Sequence, residues 1–267
     1  MVEGEDGKWR SVHSPALFDH KMLGGAIYRA ELAANLQKLG YAIERTHADG
    51  RFEVAGVPKP LMEAFSTRAS EIRAALEGRR DTSAEAAARA ALITRSAKQD
   101  IDREDLKSLW NARAKEAGHP LDTVREAAAT KRQPAQHALR PGEIIDRALE
   151  HLTERDATFT PMALLKEAIG QATGQHRPAA MIKAVERAAS DGRILAREVA
   201  GEARMTTPAM VRAEGATIAA MKAGRAATDP IALPREIGAR LQTMGLSNEQ
   251  AAAAKHILSS TDRTIGV

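Results

Sequence analysis

Cysteine is absent from this 267-residue chain, so disulfides and thiolate metal sites are excluded. A cytoplasmic protein is the natural expectation. Aromatic residues make up only 3%, with two Trp and two Tyr. So few rings argue against a β-sandwich core and against binding dominated by stacking on rings. No uninterrupted apolar run approaches the roughly 18 residues of a membrane span. The eight histidines form neither H-x-H nor H-E-x-x-H, so no metal-ligand pair is predicted.

What is present is alanine, within a hydrophobic content of 43%. Alanine favours helices that approach closely through small side chains. The predicted class is therefore α+β and predominantly helical. Net charge is +4 and the sequence pI about 9.4, a weak bias toward a polyanionic partner.

Along the chain, Glu5-Asp6-Gly7-Lys8 is a turn between two short strands, the second being Trp9 to Val12. Leu23, Ile27, Leu32, Leu36 and Leu39 recur at helical spacing over 21–39, and Gly40 ends that helix. On this pattern Tyr28 belongs to the core, and Tyr41 opens a strand as a packing residue. Tyr41 to Glu44 and Arg51 to Val54 read as a hairpin. A helix from Pro60 to Leu76 is interrupted near Ser66. Ala84 to Ile93 is helical, and Asp102 caps a helix bearing Leu106, Leu109 and Trp110. Residues 127–141 lack an apolar period and read as a linker. Next come helices from Gly142, Pro161 and Pro178, with Met181, Ile182 and Val185 facing inward. A hairpin of Arg193 to Val199 and Arg204 to Thr206 follows, turning over Ala200 to Ala203. Three helices then a hairpin is the winged-helix order. Thr207-Pro208 caps a further helix that closes at Gly224.

Several residues are candidates for chemistry. Arg95 and Lys98 share a loop between two helices, where charge-assisted bonds to phosphate oxygens are possible. Arg68 and Arg73 sit on a helix start and could line the same face. Arg177, Lys183 and Arg187 decorate the third helix of the winged-helix pattern, where such folds often meet DNA, but with acidic Glu186 and Asp191 among them they read as a solvated face. Ser247-x-x-Gln250 has two readings. One is a capping box. The other is the adenine-contacting Gln that precedes the first strand of many helicase ATPase units. The C-terminal segment Leu246-Ser247-Asn248-Glu249-Gln250, an Ala-rich helix, and Thr261 to Val267 as a short strand would lead into a Gly-rich phosphate loop. No such loop is in the sequence. The chain is therefore expected to be a piece of a larger protein, cut before its ATP site.

Glu3-Gly4-Glu5-Asp6-Gly7-Lys8-Trp9-Arg10-Ser11 resembles a segment of conjugative relaxases of the TrwC/TraI (MobF) type. So do Gly40-Tyr41 with its hairpin, Ala64-Phe65-Ser66-x-Arg68-x-x-x-Ile72, Thr94-Arg95-x-x-Lys98 and the Trp110 helix. Ala148-Leu149-Glu150-His151-Leu152-x-Glu154-Arg155, Thr206-Thr207 and the segment from Leu246 resemble the start of the family's helicase portion. The resemblance implies a protein that nicks one strand at a plasmid transfer origin and then unwinds the duplex. In that chemistry a tyrosine attacks the phosphate, and three histidines hold a divalent metal that stabilises developing charge. ATP drives the unwinding. Neither Tyr28 nor Tyr41 matches the nucleophile, and no histidine matches the metal triad.

The resemblance thus implies four segments. Residues 1–126 form the C-terminal half of a relaxase domain and 127–141 a linker. Residues 142–232 form a winged-helix-like unit, and 233–267 the start of a RecA-like ATPase domain. The implied role is part of a relaxase-helicase, without catalytic activity of its own. It supplies DNA-contacting elements for single-stranded DNA at the transfer origin, alongside the conjugation machinery and away from membranes. No cofactor is expected in this segment; divalent metal and ATP belong to the whole family protein. Residues 142–206 should fold alone, and 1–125 should expose an apolar edge. A stand-alone winged-helix DNA-binding or regulatory protein, and a purely structural helical module, are the alternatives.

Overall fold

In a computed structural model of the chain, residues 2–11, 15–78, 81, 83–95, 101–132, 138–232 and 234–265 are described. They form twelve helices and three two-stranded antiparallel sheets. Two compact units divide the chain. One comprises Met1–Ala148 with Met162–Glu186, the other Leu149–Pro161 with Arg187–Val267.

The first unit opens with β1 (Val2–Glu3) and β2 (Trp9–Arg10), paired Val2 to Arg10 and Glu3 to Trp9. The turn holds Gly7 at a positive φ, and Arg10 pairs with Asp6 across it. That pairing holds the Asp6 carboxyl below its usual range. Helix α1 (Pro15–Lys38) follows, and β3 (Ile43–Arg45) pairs with β4 (Phe52–Val54) as the hairpin predicted from sequence.

The inward face of α1 differs from the periodic leucines. Ala26, Ala30 and Ala33 are at most 1% exposed, whereas Ile27, Leu32 and Leu39 are exposed. Tyr28, expected in the core, is 66% exposed. Alanines at i, i+4 and i+7 line one helix face and let the backbone approach its neighbours closely. The larger side chains then lie on the other side. Leu17, Phe18 and Met22 are exposed as well.

Helices α2 (Lys59–Phe65) and α3 (Thr67–Leu76) meet at Ser66, where the break was expected. Ser66 turns its hydroxyl back onto the Met62 carbonyl, 2.7 Å away, and its φ/ψ leave the helical region. Helix α4 (Ala84–Ile93) is capped by Ser83, and α5 (Arg103–Glu116) by Asp102, whose side chain accepts from the Glu104 amide. Helix α5 buries Ala114, while Leu109 and Trp110 are exposed. Helix α6 (Leu121–Thr130) runs into the stretch read as a linker. Its Ala128 is buried, and a Cβ at Gly56 would stand 3.3 Å from the Ala128 Cα. A helix seated on so small a contact leaves little apolar pattern in sequence.

The main cluster of large buried side chains lies in α7 (Pro141–Thr153), α8 (Pro161–Ala172) and α9 (Pro178–Ser190). Ile144, Ile145, Leu164, Ile169 and Met181 are the largest fully buried side chains described. Val185 is buried as expected, but Ile182 is 42% exposed. This region is clasped to α1 and the β3–β4 hairpin. Gln37 donates to the Gly174 carbonyl (3.0 Å) and Arg45 to the Gln171 carbonyl, while Arg29 ties α1 to the hairpin through the Asp49 carbonyl (3.1 Å). Gly50 sits so close to α8 that a Cβ there would meet Gly170 O at 2.9 Å and Thr173 Oγ1 at 2.5 Å.

In the second unit, β5 (Leu195–Val199) and β6 (Glu202–Thr206) pair through a two-residue turn. Ala200 and Gly201 both have positive φ, 52° and 80°, the type I′ geometry that matches strand twist. The turn is tighter than predicted, and Glu202 and Ala203 join the ladder. Phe159 exchanges backbone bonds of 2.9 and 2.7 Å with Met205, extending the hairpin by one bridge. Helix α10 (Pro208–Ala223) is capped by Thr207 and closes at Gly224, as expected. Helices α11 (Pro234–Gln242) and α12 (Asn248–Ser259) pack together. The strand expected after α12 is not formed over 261–265, and 266–267 lie outside the described residues. Instead the backbone there turns to the loop after α10. The Arg263 amide donates to Gly224 O (2.8 Å), the Thr228 amide to Thr261 O (3.0 Å), and the Ala226 amide to Asp262 Oδ1 (2.7 Å).

Candidate nucleic-acid interface

The basic residues singled out in the sequence fall in different settings. Arg68 and Arg73 share α3 but do not share a face. Five residues on a helix is about 140° of rotation. Arg68 reaches the end of α4: its guanidinium donates to Thr94 O (2.8 Å), Thr94 Oγ1 (2.9 Å) and Ala91 O, and pairs with Glu71 at 3.0 Å. Arg73 lines an open cleft of about 440 Å³ with Ser70, Ala74, Leu76 and Glu77. Glu77 leaves that cleft electrically mixed.

Arg95 follows the C-cap of α4. Its side chain is exposed, and among the described residues no ion pair is recorded for it. A guanidinium so placed meets an anion without first breaking a bond inside the protein. Lys98, its expected companion, lies outside the described residues.

Immediately before α9, and not on it as the sequence suggested, Arg177 binds Glu31 Oε2 (2.9 Å) and faces Asn35 Oδ1 (3.4 Å) on α1. It thus belongs to the clasp described above. Sequence reasoning missed this use, because the acid lies 146 positions away. Lys183 is exposed on its helix, and Arg187 is exposed in the other unit. The same clasp orders Asp49. Partial burial opposes its charge, but hydrogen bonds from Arg51 and the charges of Arg51 and Arg29 prevail and lower its pKa.

Gln250 forms the capping box. The Ser247 amide donates to Gln250 Oε1 (3.0 Å), and the Gln250 amide donates to Ser247 Oγ (3.2 Å). The box uses only the oxygen of the carboxamide. A groove of about 340 Å³ opens beside it, lined by Gly238, Leu241, Gly245, Leu246, Ala251 and Lys255 among others. Among the described residues its lining holds two separated glycines, Gly238 and Gly245, and no Gly-rich phosphate loop. Among the described residues no three His, Asp or Glu side chains are grouped to hold a metal ion. The described residues therefore do not fit the catalytic metal of the resembled family. Tyr28 is exposed on α1 and Tyr41 half-buried after Gly40. Among the described residues, no helix is long and apolar enough to cross a membrane.

Comparison with known proteins places these features. Residues 1–117 match the TrwC relaxase family model. The multifunctional conjugation protein TraI of Escherichia coli is 30% identical over 186 residues, 63% of this chain and 10% of TraI. TraI of Escherichia coli strain K12 is 29% identical over 188 residues, with the same coverage. The chain thus spans about a tenth of the length of the curated relatives it matches. A solved structure of TrwC complexed with a 27-mer DNA comprising the recognition hairpin and the cleavage site is 35% identical. It covers 45% of this chain and 44% of that one, at a TM-score of 0.35. Over residues 1–117, then, this chain is similar to the TrwC relaxase family.

Proposed function

We propose that this chain works within a conjugative DNA relaxase, where it contacts single-stranded DNA at a transfer origin and supports the rest of the enzyme. The observation that carries the reading is the relaxase family match over residues 1–117. That segment contains Arg73 and the exposed Arg95. The basic sequence pI, about 9.4, agrees with a polyanionic partner. In this reading phosphate oxygens are the main contacts, and Arg95 with Lys98 is the principal binding loop. The nucleophilic tyrosine, the metal histidines and the ATP phosphate loop are supplied by other parts of the relaxase-helicase, so this chain alone neither nicks DNA nor hydrolyses ATP. Large exposed side chains on α1, Leu17, Phe18 and Met22, would pack against those other parts.

The order of α7, α8, α9 and the β5–β6 hairpin, with the Phe159–Met205 bridge, supports a winged-helix reading of 142–232. Residues 233–267 then open a RecA-like ATPase domain, with Gln250 near its adenine. The setting is cytoplasmic, and the partners are the transfer-origin strand and the conjugation machinery.

Substitution tests the contact. Arg95→Ala should weaken binding to a labelled single-stranded oligonucleotide several-fold at low salt, with folding unchanged by circular dichroism. Arg73→Ala should act in the same direction. If both variants bind as tightly as the parent, the α3–α4 region is not the DNA contact.

A further inference from the structure

We propose that Arg68 is a positioning residue: its guanidinium clamps the C-terminal end of α4 and fixes the backbone that presents Arg95 to a phosphate. The proposal rests on the reading of the α4 loop as a DNA contact, and it gives Arg68 a different role from Arg95.

The last carbonyls of an α-helix have no partner within the helix. At the end of α4 two of them are met locally. The Thr94 amide (3.0 Å) and hydroxyl (2.7 Å) both donate to Ala90 O, and the Arg95 amide donates to Leu92 O (3.4 Å). Ala91 O and Thr94 O are instead reached from α3, by the two terminal nitrogens of Arg68. A third bond goes to the Thr94 hydroxyl. The arrangement also puts a fixed cation at the negative end of the helix dipole. The planar guanidinium spans two carbonyls at once, which a lysine ammonium does not do in the same way.

With these bonds made and Glu71 beside it at 3.0 Å, Arg68 is already neutralised and engaged. A phosphate would have to displace protein acceptors to reach it. The residue next in sequence to the clamped Thr94 is Arg95, whose side chain is exposed. Holding Thr94 O therefore sets where the Arg95 backbone leaves the helix. Loop placement of this kind reduces the ordering cost that a phosphate contact would otherwise carry.

Two measurements test this, using Arg68→Ala, Arg68→Lys, Arg95→Ala and the double variant Arg68→Ala/Arg95→Ala. The first is amide hydrogen exchange without DNA. Arg68→Ala should speed exchange at Thr94 and Arg95 and leave α5 unchanged. Unchanged protection at Thr94 and Arg95 would overturn the clamp. The second is anisotropy with a labelled oligothymidylate across a salt series. Arg95→Ala should reduce the slope of log affinity against log salt by about 0.7, the value for one phosphate contact on a single strand. Arg68→Ala should give the same reduction, Arg68→Lys should not rescue it, and the double variant should lose no more than either single one. An additive loss of about twice that slope would make Arg68 a phosphate ligand in its own right and sink the proposal. Full rescue by lysine would do the same. If Arg95→Ala leaves binding untouched while exchange responds as expected, the loop is not a DNA contact, and the positioning role falls with the reading it rests on.

Discussion

Replacing Gly50 by alanine tests the clasp between the β3–β4 hairpin and α8. Gly50 has φ +81°, a conformation that costs an L-residue about 1–2 kcal/mol. A Cβ there would lie 2.9 Å from Gly170 O, 3.0 Å from Gly170 Cα and 2.5 Å from Thr173 Oγ1. Thr173 cannot easily yield. It is 3% exposed, and its hydroxyl donates to Ile169 O at 3.1 Å. Helix backbone cannot yield at all without moving α8, and overpacking of this kind costs about 1–3 kcal/mol. The loss of unfolded-chain entropy returns roughly 0.4–1 kcal/mol. The net expectation is a destabilisation of about 2–4 kcal/mol, within the range of measured point mutants. Gly40 is the internal control. It has φ +94° with nothing within 4 Å of a Cβ, so Gly40→Ala should show the conformational cost alone, about 1 kcal/mol. Equilibrium urea unfolding of both variants measures the difference. If Gly50→Ala is no more destabilising than Gly40→Ala, the close approach of hairpin and helix is wrong.

Three further outcomes follow from local geometry. Ala200→Gly should stabilise the β5–β6 hairpin by about 1 kcal/mol in urea unfolding, because it relieves a positive φ of 52° at a type I′ turn. Ser247→Ala should cost about 1 kcal/mol by removing the hydroxyl that caps α12; an unchanged midpoint would show the capping box to be dispensable. Asp49 has a lowered pKa in the folded chain, so its contribution is complete above the unfolded carboxylate value near 3.9 and is lost as pH falls through its folded pKa. Stability should therefore decline below about pH 4, and Asp49→Asn should flatten part of that decline in acid titrations followed by circular dichroism.

Local structure was largely legible because its causes are local. The break at Ser66, the caps at Asp102, Thr207 and Ser247, and the turn after β1 depend on side chains bonding backbone a few residues away. What sequence did not show depends on distance. The periodic leucines of α1 suggested its buried face, but Ala26, Ala30 and Ala33 are what lie inside. Small residues carry little hydrophobic signal, so the tighter interface was the quieter one. The same reason hid α6, whose buried side chain is Ala128. Thr261 to Ile265 look like a strand in isolation. In the fold their hydrogen bonds are taken by Gly224, Ala226 and Thr228, which leaves no ladder to join. At the candidate site, sequence found a cluster of cations but could not sort them. Arg68 and Arg177 are engaged by groups 26 and 146 positions away, whereas Arg95 is exposed.

The central claim is tested most directly by fluorescence anisotropy of the unsubstituted protein with labelled single-stranded and duplex oligonucleotides across a salt series. The account predicts preferential single-strand binding that weakens linearly in log salt, as phosphate contacts require. No single-strand binding at low salt, or binding indifferent to salt, would contradict it.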